Sequence, residues 1–181
     1  MSWGRPGSGQ RAVVSLPARG PVRLSHILLV LDDLVGQEEL VRVTCHLTRR
    51  LDADLLVEHV VECSSQRGSL TYTPTDPQTA ESLIDDVLER VAAEGIRAQG
   101  EVTVASSGFK ARAILSAAVE SRADLIVIEA HRLSPLLALV GLSPVHQIVR
   151  FGQCPVLLVP ELHRPSLVVQ LKSWVRRTWA W

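Results

Sequence analysis

The side chains best suited to chemistry lie where an apolar run, DLIVI, leads into a helix-like segment, VHQIVRF. A junction between a strand and a helix is where many α/β proteins bind phosphate, because the helix N-terminus presents free N–H groups. The residues between the two segments include an imidazole, a guanidinium, a glycine and a hydroxyl, and a carboxylate ends an earlier apolar run. These residues are His131, Arg132, Gly141 and Ser143, and the carboxylate belongs to Asp32.

Each candidate also has a structural explanation that needs no ligand. Ser143 suits the N-cap position of the following helix, where a hydroxyl accepts a backbone N–H. Asp32 is the kind of polar residue that ends a buried strand in a solvated loop, and His59 suits a satisfied core histidine. We expect these structural roles. For His131 and Arg132 we expect a solvated loop, with contact to an anion as the alternative.

Patterns typical of catalysis or of metal binding are missing from the chain. It has no GxSxG nucleophile elbow, no HExxH zinc motif and no GxxxxGK[ST] phosphate loop. The glycines of WGRPGSGQR come before the first apolar run instead of after it. The cysteines Cys45, Cys63 and Cys154 form no CxxC pair. We therefore expect no enzyme activity and no bound metal.

The composition predicts a single globular domain in the cytoplasm. Of the 181 residues, 46% are apolar and 21% are charged, so a sizeable core can form. Lys+Arg and Asp+Glu both number 19, so no net charge attracts nucleic acid, and no nucleic-acid partner is expected. No apolar run approaches the roughly 18 to 20 residues that span a bilayer. Unpaired cysteines favour a reducing compartment.

Apolar runs alternate with amphipathic segments along the middle of the chain. The runs are HILLVLD, ADLLVEHVVE, AQGEVTVA, ADLIVIE and PVLLVP, and a loop is expected over CSSQRGSLTYTPTD. This alternation predicts a doubly wound five-stranded parallel sheet with helices on both faces. Asp76 is expected to cap the second helix, Gly95 to end it, and Ser107 to cap the third.

Several segments together resemble the universal stress protein family: ILLVLDD, ADLLVEHVV, GFKARAILSAAVESRADLIVI and RFGQCPVLLVP. The resemblance covers the chain from His26 to Pro160. It implies a Rossmann-like fold of the adenine-nucleotide alpha hydrolase type, a homodimer and a stress-related regulatory role. The expected organisation is a flexible N-terminal extension over 1–24, a universal stress protein domain over 25–160 and a C-terminal extension over 161–181.

The resemblance also implies roles for single residues. In family members that bind ATP, an aspartate at the end of the first strand contacts the adenosine, and Asp32 stands at that position. Those members also carry G-x-x-G, nine residues and then G-[ST] before the last helix. The alignment places Glu129, Arg132 and Leu142 at the glycine positions and Ser143 at the hydroxyl, and a shifted alignment places Gly141 at the third glycine.

These substitutions weaken a phosphate loop for physical reasons. Leu142 adds bulk where N–H groups would touch phosphate oxygens, Glu129 adds a like charge, and Pro144 has no N–H to donate. A hydrogen bond to a charged group contributes roughly 1.5–3 kcal/mol, so losing two weakens binding by about two to four orders of magnitude. We expect a degenerate nucleotide site, no cofactor and regulation through protein interaction, with ATP binding as the alternative.

Two surfaces are expected to meet partners. The fifth strand, PVLLVP, is an edge in this topology, and pairing with its copy in a homodimer would cover that edge. Residues 165–181 form a basic amphipathic pattern that is expected to dock on the domain or across the dimer. Binding to a protein partner or to a membrane surface is the alternative. The apolar face comprises Leu167, Leu171, Trp174, Val175 and Thr178.

Overall fold

A computed structural model describes most of the chain between Arg23 and Pro160. Nearly all of the expected extension over 1–24, and all of that over 161–181, lies outside the described residues. His131, Arg132 and Gly141 of the candidate site also lie outside them. The described ranges are 23–32, 37–66, 69–73, 75–130 and 143–160.

Within these ranges, helices and strands follow one another in the predicted order, with one additional strand. Each predicted apolar run forms a strand and each amphipathic segment forms a helix. The elements are β1 (His26–Leu31), α1 (Glu38–Leu51), β2 (Asp54–Gln66), β3 (Ser69–Thr73), α2 (Pro77–Ala93), β4 (Ala98–Ser106), α3 (Lys110–Glu120), β5 (Leu125–Ala130), α4 (Pro144–Phe151) and β6 (Val156–Pro160).

The described strands belong to one sheet. Its main path runs β3-β2-β1-β5-β6, and β4 also pairs with β2. The pairs β1–β2, β1–β5, β2–β4 and β5–β6 are parallel, and β2–β3 is antiparallel. Helices α1 and α2 cover one face, and α3 and α4 cover the other. The predicted doubly wound α/β domain is therefore confirmed, and the five predicted strands form its parallel part.

The expectation of a loop over CSSQRGSLTYTPTD is wrong, because this segment contains the end of β2 and the whole of β3. Cys63 of β2 pairs with Tyr72 of β3 and also with Ser106 of β4. Strand β4 occupies one edge of β2 at Cys63, so β3 must pair with the other edge, which β1 also uses. It does so beyond the end of β1, where Leu31 pairs with His59. Threonine and tyrosine suit a strand here, whereas the serine and glycine of the same segment favoured a loop.

Two apolar layers hold the helices on the sheet. One lies beneath α1 and α2, and the other lies beneath α3 and α4. Strand β1 contributes to both layers, because successive side chains of a strand face opposite sides. Each residue from Ile27 to Leu31 is at most 1% exposed. Strand β1 is therefore the centre of the domain.

Both expected ends of α2 are confirmed. A carboxylate oxygen of Asp76 accepts a hydrogen bond from the Thr79 N–H at 3.0 Å. This bond lowers the pKa of the Asp76 carboxyl. Gly95, just after the end of α2 at Ala93, has a φ of 72°. Glycine adopts this left-handed conformation without strain, so the helix stops where predicted.

The expected N-cap at Ser107 is wrong. Helix α3 begins at Lys110, and its N-cap residue is Phe109, whose side chain makes no capping bond. The turn before the helix is held instead by Glu62, which accepts a hydrogen bond from the Gly108 N–H at 2.6 Å. A carboxylate from β2 thus holds the turn that precedes the helix, through a long-range contact that local sequence cannot indicate.

Gly100 of β4 lies beneath α2 without room for a side chain. A Cβ atom there would clash with Cγ2 of Ile84 and lie 2.9 Å from Cδ1 of Leu88. We expect Gly100→Ala to lower the free energy of unfolding by roughly 1–3 kcal/mol, the usual cost of overpacking. Gln99→Ala, at the exposed neighbouring position, should change it by less than about 0.5 kcal/mol. Urea denaturation measures both, and equal stability of the two variants would contradict this packing.

Candidate functional site

The candidate site lies at the edge of the sheet where the parallel strands end. In open α/β sheets, ligands bind at this carboxyl edge, near the place where the strand order reverses. The reversal here lies between β1 and β5. Asp32 directly follows β1, and Ser143 directly precedes α4, so both predicted site residues stand at this edge.

Asp32 forms an ion pair with Lys110, the first residue of α3. Nζ of Lys110 contacts Oδ1 of Asp32, and the two side chains are 7% and 20% exposed. Alternation along β1 explains the contact, because Leu28 and Val30 face the layer beneath α3 and Asp32 follows on the same side. Charges so shielded from water attract each other strongly.

Lys110 is absent from the sequence-based candidates, although its spacing gives a signal. It lies four residues before Ile114 and seven before Ala117, and so falls on the inward stripe of α3. A lysine on an apolar stripe needs an anionic partner nearby. That partner is Asp32, so the expectation of a solvated aspartate is wrong.

Ser143 occupies the N-cap position of α4, as expected, but its hydroxyl makes no capping bond. The residue is 5% exposed, and Oγ has no hydrogen-bond partner among the described residues. Its backbone carbonyl accepts the Gln147 N–H at 3.2 Å. A buried polar group without a partner costs about 1–3 kcal/mol. The Ser143 hydroxyl is therefore available to a ligand or to residues outside the described ranges.

Glu129 lies inside β5 and not in the segment that follows it. It is 4% exposed and alternates with Leu125 and Val127, which pack in the layer beneath α1 and α2. Its side chain therefore belongs to the face of the sheet opposite the Asp32–Lys110 pair. A ligand beside Asp32 would not face the Glu129 carboxylate, contrary to the like-charge contact that the alignment implies.

Gln37 is a second polar residue that the sequence-based candidates omit. It holds the N-cap position of α1, close to the carboxyl edge, and is 5% exposed. Neither Nε2 nor Oε1 has a hydrogen-bond partner among the described residues. The sequence gives no signal for this burial, because a glutamine before Glu38 and Glu39 looks like an ordinary solvated helix start.

His59 is fully buried in β2. Its Nδ1 donates a hydrogen bond to the Leu31 carbonyl at 2.9 Å. The bond ties the middle of β2 to the last residue of β1, immediately before Asp32. The expectation of a satisfied core histidine is confirmed at this ring nitrogen.

Other features of the described residues add nothing to the site. Within the described ranges, no group of three or more His, Cys, Asp or Glu residues could hold a metal ion. A cavity of about 520 Å³ is lined by His26, Asp54 and Arg97, at the amino end of the strands and away from Asp32. None of the helices in the described part of the chain is long and apolar enough to cross a membrane.

The described domain matches a known protein family. The profile of the universal stress protein family aligns with residues 24–160. The chain belongs to the universal stress protein family. This confirms the resemblance seen in the four sequence segments. A search of curated proteins found no match to the chain.

Solved universal stress proteins share this fold at low sequence identity. A family member from Burkholderia pseudomallei is 22% identical, with a TM-score of 0.58 over 77% of this chain and 98% of that chain. One from Archaeoglobus fulgidus in complex with dAMP is 16% identical, with a TM-score of 0.55 over 75% and 96%. One from Arabidopsis thaliana with AMP bound is 13% identical, with a TM-score of 0.53 over 78% and 97%.

The ion pair predicts different effects for single and double substitutions. Lys110→Met removes the cation that contacts the shielded Asp32 carboxylate and should lower the free energy of unfolding by about 3 kcal/mol. The double variant Asp32→Asn, Lys110→Met should regain most of this loss, because no buried charge is left. Arg112→Met, at an exposed position of the same helix, serves as the control. Urea denaturation of the wild-type protein, the single variants Lys110→Met and Asp32→Asn, the double variant and the control gives the required values. Additive effects of the two substitutions would contradict a direct pair.

Proposed function

We propose that this universal stress protein acts through protein interaction and binds no ATP. The observation that supports this proposal is the Asp32–Lys110 pair. Asp32 stands where ATP-binding relatives, by the resemblance, contact the adenosine, yet its carboxylate already holds an internal ammonium group. A nucleoside at this position would compete with Lys110 for the carboxylate.

We expect a nucleoside that binds the Asp32 carboxylate to weaken its contact with Lys110. Breaking a buried ion pair costs about 3–5 kcal/mol. This cost corresponds to about two to four orders of magnitude in affinity. Strand β3 further limits the space for a nucleoside, because it pairs with β2 just beyond the end of β1, next to the place where Asp32 leaves the sheet.

The proposal includes no catalytic activity, no bound cofactor and a cytoplasmic location. Lys110 is held by Asp32 and so does not serve as a base or a nucleophile. The cysteines Cys45, Cys63 and Cys154 are all free thiols. Free thiols favour a reducing compartment.

The proposed assembly is a homodimer formed through the outer edge of β6. Among the described strands, β6 pairs with β5 alone, and Leu158 is 41% exposed. The Ile126 N–H donates to the Pro155 carbonyl, so the backbone polar groups of Pro155 point toward β5. Alternate residues of a strand point the same way, so the backbone groups of Leu157 also face β5 and those of Leu158 face outward. A second copy of β6 would pair with these outward groups.

Residues 165–181 lie outside the described ranges and enter the proposal through their sequence alone. Their basic amphipathic pattern suits docking on the domain or across the dimer, with a protein partner or a membrane surface as the alternative. In each case the apolar face is the part that becomes covered.

The second candidate function is nucleotide sensing through a divergent phosphate loop. It is favoured by the Ser143 hydroxyl and the Gln37 amide, which are buried at the carboxyl edge without partners among the described residues. The similar structures from Archaeoglobus fulgidus and Arabidopsis thaliana hold dAMP and AMP. In this alternative, His131 and Arg132 supply the cationic contacts to phosphate.

Calorimetric titration with Mg-ATP distinguishes the two candidates. We expect no saturable binding below about 1 mM in the wild-type protein, because the displacement cost cancels the gain from the remaining contacts. A micromolar Kd that Asp32→Ala and Ser143→Ala both weaken would overturn the proposal in favour of nucleotide sensing. Glu89→Gln, at an exposed position in the second half of α2, is a control that should leave any such Kd unchanged.

The dimer is tested by placing a charge on the outer strand. Leu158→Lys should shift the protein from dimer to monomer at micromolar concentration, because a lysine on an edge strand opposes pairing. Val119→Lys is the matched control, since Val119 is 57% exposed but lies on α3. Sedimentation velocity measures the masses. A monomeric wild-type protein, or a Leu158→Lys variant that stays dimeric, would contradict the proposed interface.

A further inference from the structure

Glu58 is a carboxylic acid inside the core of the domain. It is 0% exposed, and it pairs in register with Val30 of β1 and Glu101 of β4. Neither carboxylate oxygen meets a hydrogen-bond partner with normal geometry. The Thr103 hydroxyl on β4 is close enough to favour the ionised form, but burial outweighs it. Glu58 is therefore a buried acid without firm compensation.

Helix α3 covers the side of the sheet that Glu58 faces. Leu56 and Val60, the neighbours of Glu58 on the same face of β2, pack in the layer beneath α3 and α4. Ala113 and Ala117 of α3 line a groove of about 430 Å³ together with residues of β4. Because the α3 residues beside this groove are small, little side-chain volume separates Glu58 from solvent. We expect that movement of α3 away from the sheet lets water reach the Glu58 carboxylate.

The charged groups around Glu58 do not offset its burial. Burial is the main cause that raises the pKa of Glu58 to about 7, and the carboxylates of Glu101 on β4 and Glu120 on α3 raise it further. On α3, Lys110 is held by Asp32, while Arg112 lines the groove. The β1 residues that face this layer, Leu28 and Val30, are apolar.

We propose that Glu58 makes the packing of α3 on the sheet sensitive to pH. A solvated glutamate has a pKa of 4.5, so below that pH both the packed and the loosened forms hold the proton. Between pH 4.5 and about 7 only the loosened form ionises, and loosening becomes about tenfold easier per pH unit. Above this window both forms are ionised and the dependence ends. The effect of Glu58 is thus to hold the helix more firmly at pH 5 than at pH 8, whether or not a nucleotide binds.

Hydrogen exchange of the α3 backbone amides tests the proposal. We expect their protection factors to fall about thirtyfold between pH 5.5 and pH 8 in the wild-type protein, after correction for the intrinsic exchange rate. Glu58→Gln should abolish this fall, and Glu89→Gln, at an exposed acid of α2, should preserve it. An unchanged protection factor in the wild-type protein, or the same fall in Glu58→Gln, would overturn the proposal.

A direct titration keeps the proposal testable even where Glu58→Gln does not fold. Carbon-13 NMR of the glutamate carboxyl groups, assigned in the wild-type protein, gives the ionisation midpoint of Glu58. A midpoint near neutral pH, accompanied by shifts of the α3 amide signals, supports the proposal. A midpoint below about 5, the range of ordinary glutamates, would overturn it.

Discussion

Strand β1 is the constraint on which the rest of the domain depends. It pairs with β2 and β5, and residues Ile27–Leu31 are at most 1% exposed. A shift of its register by one residue would exchange the two faces of the strand. The register therefore fixes both where Asp32 leaves the sheet and which layer it faces. Because α3 covers that layer, the first residue of the helix, Lys110, meets the Asp32 carboxylate.

Helix α3 consequently rests on the sheet through contacts of two kinds. Apolar residues such as Ile114 fill the layer beneath it. An ion pair and a single buried acid act on the same interface, since the Lys110–Asp32 attraction holds the start of the helix and Glu58 opposes its packing once ionised. The pair also occupies the position at which the family resemblance implies a nucleoside contact. The Asp32–Lys110 pair thus links the packing of α3 to the candidate site, because Asp32 belongs to both.

The sequence predicts the parallel sheet well, because strands buried on both faces must be continuous apolar runs. Strand β3 escapes such prediction, since all its residues are exposed and it is held by pairing with the end of β2. At the site, Asp32 and Ser143 are found from their positions after a strand and before a helix. Lys110 and Gln37 are missed, because helix-start residues of these types are usually solvated. For Lys110 the spacing to Ile114 gives a signal of burial, whereas for Gln37 only the tertiary packing reveals it.

The central claim is that Asp32 holds Lys110 where nucleotide-binding relatives hold their ligand. The most direct measurement is to denature the purified full-length protein and to identify any released nucleotide by chromatography. A preparation of the Lys110→Met variant, treated identically, shows whether removal of the internal cation opens the site. We predict no adenine nucleotide from the wild-type protein. Release of about one nucleotide per chain from the wild-type protein would contradict the claim.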